Sequence, residues 1–167
     1  MATLERLVER GELVPLDPEL NEGEQPERGF HARPGFAEWA QTTLPELARD
    51  WDGKQDPWEQ VDDLLSRFVA GDALFYGPGG DLAELHPLEH DVWELRTTDI
   101  RIFGWFVLCD VFIAVAGDTA KRIKDIGLYA GYRNEVVRTR ERLPLDEPKR
   151  VMGGDIGDVV QNWASAP

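Results

Sequence analysis

The sequence predicts an α+β fold in which an N-terminal helical hairpin packs on an antiparallel β-sheet and is followed by a C-terminal helix. Three observations support this class. Apolar residues recur at helical spacing over residues 36–71, alternate with a period of two over 92–106 and form an almost continuous run over 111–117, and return to helical spacing after residue 128. A chain of 167 residues is long enough to bury a core of its own.

The chain is expected to divide into an acidic N-terminal extension (residues 1–30), a central domain (31–148) and a C-terminal tail (149–167). The extension begins with a short apolar stripe of helical spacing. It continues into residues 17–29, an acidic segment with two prolines that favours a loop. The tail suits either a strand or a short helix.

Two helices are predicted in the first half of the chain. The first lies within residues 36–51 and is interrupted by Pro45, so this segment forms either two short helices or one kinked helix. Thr43 is a candidate N-cap for the part that begins at Pro45. The second helix begins at Asp56-Pro57 and ends at Gly71. Its predicted apolar stripe consists of Trp58, Val61, Leu64, Leu65 and Phe68.

A three-stranded antiparallel meander follows. Its predicted strands begin at Val92, Ile100 and Val111, and turns at 97–99 and 108–110 separate them. In the second strand, the alternation places Ile100, Ile102 and Phe106 on one face and Arg101, Phe103 and Trp105 on the other. The third strand is almost wholly apolar, which predicts burial on both faces. A last helix carries Tyr129, Tyr132, Val136 and Val137 on one side and stops before Pro144.

The net charge of −14 is concentrated in the first half of the chain. Residues 1–90 carry 20 acidic and seven basic side chains, whereas residues 121–142 carry seven basic and three acidic ones. Overall acidity argues against non-specific nucleic-acid binding but leaves room for a local basic patch.

Cysteine content and hydropathy indicate the cellular compartment that we expect for the chain. Cys109 is the only cysteine, so neither an intrachain disulfide nor a cysteine zinc site is expected. No apolar run is long enough to span a membrane, and the N-terminus does not resemble a secretory signal. A cytoplasmic location is therefore expected.

Four features occur in an order that is similar to a known family. They are the strand Trp93-Glu94-Leu95-Arg96, an arginine that opens the next strand (Arg101), the apolar strand 111–116, and a turn with Lys121 and Lys124. This order resembles the RelE/ParE superfamily, and within it the HigB-like and phage-derived toxins. The resemblance covers roughly residues 36–143, so the central domain is expected to be RelE/HigB-like.

The resemblance implies a function. Many members are toxins of type II toxin–antitoxin pairs that cleave mRNA, commonly in the ribosome, while ParE-like members act on DNA gyrase. A cognate antitoxin binds and blocks them. The expected partners of this chain are therefore an antitoxin, mRNA and the ribosome, with no metal or cofactor. The chain departs from the mRNA-cleaving members, which are typically small and basic, because it is longer and strongly acidic.

Metal-independent RNA cleavage needs a base, an acid and a cation that stabilises the charge on the phosphate. Arginine suits the last role because its planar fork binds phosphate in a bidentate way. Tyrosine can stack on a base or take part in proton transfer. The predicted catalytic residues are Arg101, Lys121, Tyr129 and Tyr132, and the predicted RNA- or phosphate-binding residues are Arg96, Arg122, Lys124 and Arg133.

Structural roles remain open for the same residues. The two strand arginines also suit cross-strand ion pairs with Glu94 or Asp99, and the tyrosines suit core packing. His86 or His90 is an alternative base; their i, i+4 spacing does not indicate a metal site because Pro87 interrupts any helix. The alternative function is a non-catalytic protein of this fold whose acidic arm, 17–27, binds a basic partner or mimics nucleic acid.

Overall fold

The structure is a computed structural model, and it describes residues 1–48 and 55–167. The helices are α1 (Leu4–Glu9), α2 (Pro34–Thr42), α3 (Pro57–Ala70), α4 (Ala120–Ile126), α5 (Tyr129–Arg142) and α6 (Ile156–Val159). The strands are β1 (Val14–Pro15), β2 (Gly29–Ala32), β3 (Leu74–Tyr76), β4 (Leu82–Glu84), β5 (Trp93–Arg96), β6 (Ile100–Leu108), β7 (Val111–Thr119) and β8 (Trp163–Ser165). Short 3-10 turns occupy Leu44–Glu46 and Leu88–His90.

The eight strands of the described residues belong to one sheet, in the order β1-β2-β7-β6-β5-β4-β3-β8. The α+β class is confirmed. The expectation of an antiparallel sheet is wrong for part of it, because β2 pairs with β7 in parallel and β3 pairs in parallel with both β4 and β8. These pairings join segments that lie far apart in sequence or are only three residues long, so local periodicity gives little sign of them.

The predicted meander is confirmed as β5, β6 and β7. These strands pair in antiparallel fashion, with Leu95 opposite Ile102 and Phe103 opposite Ala116. The predicted division of β6 between two faces is also confirmed. Ile100, Ile102 and Phe106 belong to one apolar cluster, whereas Phe103 and Trp105 belong to another.

Helices cover both faces of the sheet. On one face, α2 and α3 bury residues such as Phe36, Leu64 and Phe68 against β2, β6 and β7. On the other face, α1, α4 and α5 contribute Leu7, Ile123 and Val136, all of which are fully buried. A central strand covered on both sides explains why β7 is nearly continuous in apolar residues.

Both helices predicted in the first half of the chain are present, the first of them in modified form. The first consists of two short elements, since α2 ends at Thr42 and the 3-10 turn begins at Leu44 with Pro45 in its first turn. Trp51, expected to continue this stripe, lies outside the described residues. In α3, Gly71 terminates the helix with φ of +83°, as predicted. The stripe prediction is wrong for Trp58, whose side chain is 45% exposed.

Three other segments are more ordered than the sequence indicated. The expected N-terminal extension supplies α1, β1 and the first residues of β2, and Leu7 lies in the core. The tail contains both a short helix, α6, and an edge strand, β8. The expected lysine-rich turn is the helix α4, in which the Thr119 side chain accepts a hydrogen bond from the Arg122 amide. Within the described parts of the chain, no helix has the length and apolar character needed to cross a membrane.

Candidate functional site

Three charged residues form a row across neighbouring strands at one end of the sheet. Arg96 of β5 lies opposite Arg101 of β6, and Arg101 lies opposite Asp118 of β7. Directly opposed residues in antiparallel strands project from the same face of a sheet. The row therefore shares the face of Phe103 and Trp105, which α4 and α5 cover.

Arg101 is held by backbone carbonyls and not by an acid. Its Nη1 donates to the Thr97 oxygen at 2.5 Å and to the Ile100 oxygen at 3.0 Å. Its Nε is buried and has no hydrogen-bond partner within the described residues. Among residues 1–48 and 55–167, no carboxylate lies within 4.0 Å of this guanidinium. The predicted ion pair of Arg101 with Asp99 is therefore absent, since the Asp99 carboxylate binds Gln60 instead. A fixed cation without an acid partner is suited to binding an anion.

Arg96, in contrast, forms one of the ion pairs that the sequence allowed, the pair with Glu94. Its Nε lies 2.6 Å from Oε1 of Glu94, and its Nη1 donates to the Gly77 oxygen at 3.2 Å. Glu94 is 3% exposed, and its other oxygen has no partner within the described chain. The two arginines thus differ, because one guanidinium is largely neutralised and the other is not.

Asp118 binds the neighbouring residues of α4 and α5. Its carboxylate accepts hydrogen bonds from the Tyr132 hydroxyl at 2.6 Å, from the Arg122 guanidinium and from the Thr119 amide. Burial, together with the contact with Asp118, raises the pKa of Tyr132 to about 12. Tyr132 therefore keeps its proton at neutral pH and acts as a donor. The sequence analysis missed Asp118, for which the one signal is its position four residues before Arg122.

Both predicted tyrosines lie against Phe103 of β6. The ring of Tyr132 stacks on Phe103 with centroids 4.8 Å apart, and Tyr129 meets the same ring edge-on at 6.0 Å. Both tyrosines pack against the core, as the structural alternative proposed, but the hydroxyl of Tyr132 also reaches the charged row.

The remaining predicted residues lie outside this cluster. Lys121 pairs with Asp125 at 2.6 Å at the surface, and Lys124 is exposed on the same helix. Arg133 donates to the carbonyl of His86 at 2.9 Å. Neither histidine is placed in the row, since His86 is exposed and His90 lies 4.0 Å from Glu89. In the structure, Arg96, Arg101, Arg122 and Tyr132 therefore lie in or beside the charged row, whereas Lys121 and Lys124 lie at the surface.

The turn that carries Arg101 is held in place by α3. Gln60, which is 8% exposed, donates to Asp99 at 2.7 Å and accepts from the Thr97 hydroxyl at 2.8 Å and the Asp99 amide at 3.0 Å. A fully bonded buried amide fixes the geometry around it. The Thr97 carbonyl that holds Arg101 belongs to this same turn. The helix α3 thus fixes the turn that holds the Arg101 guanidinium.

Comparison with protein-family models, with curated proteins and with solved structures finds no match to this chain.

Proposed function

We propose that the chain is a RelE/HigB-like toxin of a type II toxin–antitoxin system, a metal-independent endoribonuclease that cleaves mRNA and is neutralised by a cognate antitoxin. The observation that carries the proposal is Arg101. In a chain with 32 acidic and 18 basic residues, this strand arginine has no acid within 4.0 Å among the described residues. The order of two helices, an antiparallel meander and a final helix also suits the resemblance.

The row offers the groups that RNA cleavage requires. Arg101 would hold the scissile phosphate, with Arg122 and Arg96 nearby. Asp118 is a carboxylate able to accept the 2′-hydroxyl proton, and Tyr132 is a protonated phenol able to protonate the departing oxygen. Since the chain is acidic overall, RNA attraction would be confined to this row and depend on salt with a shallow slope.

Growth on expression tests this proposal in cells. We expect the wild-type chain to arrest growth and Arg101→Ala to relieve the arrest. Arg138→Ala is the matched control, because Arg138 is an exposed arginine of α5 outside the row. Co-expression of the protein encoded by the adjacent reading frame should restore growth to wild-type cells. Wild-type expression without any effect on growth or on mRNA integrity would refute the toxin assignment.

A second candidate function is a non-catalytic protein of the same fold that binds a basic protein partner. It is favoured by an acidic cleft beside the exposed ring of Trp58. The acidic residues of that cleft are Glu19, Glu24, Glu59, Asp62, Asp63 and Asp72. The salt dependence of RNA binding discriminates between the two functions. Absence of RNA binding at low salt, combined with tight binding of one basic protein, would favour the second.

A further inference from the structure

A second feature of the sheet end is a cleft between α3 and two turns. It has a volume of about 370 Å³ and is bounded by α3, by the turn that links β3 to β4, and by the turn that links β5 to β6. Three arginines from separate elements line it, namely Arg67 of α3, Arg96 of β5 and Arg101 of β6. Two glycines, Gly79 and Gly80, form part of the wall and add no side-chain bulk.

Each of these arginines keeps hydrogen-bonding capacity. Arg67 uses Nε for Asp63 and Nη2 for Asp81, which leaves Nη1 without a partner in the described chain. In Arg96 and Arg101, Nη2 is likewise without a partner among the described residues. Three arginines that line the same cleft therefore retain unused donors.

The cleft is far less acidic than the chain as a whole. Its lining holds three arginines and two carboxylates, Asp63 and Asp81, and Glu94 pairs with Arg96 from outside the lining, so these charges nearly cancel, whereas the whole chain has a net charge of −14. Asp63 is well exposed, so its pairing with Arg67 is weak and is readily exchanged for a ligand. Asp81 is more buried and also accepts from the Phe75 amide, which fixes it to the β3–β4 turn.

We propose that this cleft binds the phosphate of a nucleotide, with Arg67 as a phosphate-binding residue alongside Arg96 and Arg101. The nucleotide is either free or part of an RNA strand. For a nucleotide within an RNA strand the inference rests on the proposed function, whereas for a free nucleotide it does not. The volume lies at the lower end of the range of small-molecule sites, roughly 300–1,000 Å³, and suits one nucleotide. The polar wall formed by Gln55, Thr97 and Thr98 would contact sugar or base.

Calorimetric titration of the full chain tests the proposal with three probes: adenosine 5′-monophosphate, a short single-stranded RNA and inorganic phosphate. We expect the wild-type chain to bind the nucleotide at least ten times more tightly than phosphate. Arg67→Ala should weaken nucleotide or RNA binding about tenfold. Asp63→Asn, which removes a competing carboxylate, should tighten it several-fold. Arg138→Ala should leave it unchanged, and thermal unfolding of each variant verifies that it is folded.

The outcomes separate this inference from the nuclease proposal. Binding of the RNA but not of the mononucleotide, with the same dependence on Arg67, assigns the site to an RNA strand. Nucleotide binding without RNA cleavage supports the cleft while refuting the nuclease. Cleavage that is unaffected by Arg67→Ala, together with unchanged nucleotide binding, overturns the cleft alone. No binding of any probe, or equal affinity for phosphate and nucleotide, also overturns it.

Discussion

Arg28 and Arg101 lie near opposite ends of β6 and use their guanidinium groups in different ways. Arg28 is 5% exposed and bonds with all three nitrogens: Nε to Asp110 at 3.2 Å, Nη1 to the Phe68 oxygen at 2.9 Å and Nη2 to the Asn162 oxygen at 3.1 Å. It also lies over the Phe68 ring, 5.3 Å from its centroid. Arg101 uses one nitrogen for two carbonyls and leaves Nε and Nη2 without partners in the described chain.

The difference separates a structural arginine from a candidate binding arginine. Arg28 joins the end of α3, the β6–β7 turn and the C-terminal tail, so its full set of donors serves the fold. Arg101 joins only neighbouring residues of its own turn, and its Nη2, which has no partner in the described chain, is available to a ligand. The predicted consequence is that the first residue contributes to stability and the second to activity.

Arg28→Ala should have the largest effect on stability. It leaves the Asp110 carboxylate and two carbonyls without their cation, and breaking such a buried pair costs about 3–5 kcal/mol. Urea unfolding followed by tryptophan fluorescence measures the loss. Arg10→Ala, at an exposed position, is the control. A loss below about 1 kcal/mol would contradict the structural role.

Glu84→Gln should have the second-largest effect on stability, and it should raise the free energy of unfolding at pH 8. Glu84 is 8% exposed, and neither carboxylate oxygen has a partner in the described chain. Burial, with Asp91 nearby, raises its pKa from 4.5 to about 7. Between pH 4.5 and 7 the folded protein holds a proton that the unfolded chain has lost, so the free energy of unfolding decreases as pH rises.

The expected gain from Glu84→Gln at pH 8 is at most about 3 kcal/mol, since each pKa unit corresponds to about 1.4 kcal/mol. At pH 4 both forms are neutral and should have similar stability. Urea unfolding at a series of pH values between 4 and 8 measures the difference. A gain that is the same at every pH would contradict the assigned titration.

Tyr132→Phe should have a smaller effect on stability. It removes one hydrogen bond to Asp118 but keeps the ring stacked on Phe103, so the loss should be about 1 kcal/mol. If Tyr132 is the proton donor, RNA cleavage should fall about a hundredfold. Val137→Ala, on the same helix and partly buried, controls for packing changes in α5. Cleavage at the wild-type rate by Tyr132→Phe would remove the tyrosine from the mechanism.

Arg101→Ala should have the smallest effect on stability of the four substitutions. It forfeits hydrogen bonds to two carbonyls in a half-buried turn, but the Ile100 carbonyl still accepts from the Thr97 amide and no ion pair within the described chain is broken, so a loss of at most about 1 kcal/mol is expected. Thermal unfolding measures it against Arg28→Ala. A loss as large as that of Arg28→Ala would mean that Arg101 is structural.

The sequence predicted the elements that are built from local patterns. Alternation located β5, β6 and β7 and divided the faces of β6, while Gly71 marked the end of α3. Pairing across long sequence distances was not predictable in this way, which is why the parallel pairings of β2 and β8 were missed. A strand of two to four residues is too short to display a period.

The sequence indicated the types of residue in the candidate site better than it indicated their hydrogen-bond and ion-pair partners. The sequence singled out Arg101 and Tyr132 as candidates, but it could not show which carboxylate would neutralise which arginine. Register decides this outcome: Glu94 lies two residues from Arg96 on the same face, while Asp118 is occupied by Arg122 and Tyr132. Arg67 was missed because its helical position indicated only a solvated surface residue.

Cleavage of a defined mRNA by the purified chain, with ribosomes present, tests the central claim most directly. We predict that the wild-type chain and Arg138→Ala cut the RNA, whereas Arg101→Ala loses at least a hundredfold in rate while unfolding near the wild-type temperature. Equal cleavage by wild type and Arg101→Ala, or no cleavage by the wild type, would contradict the account.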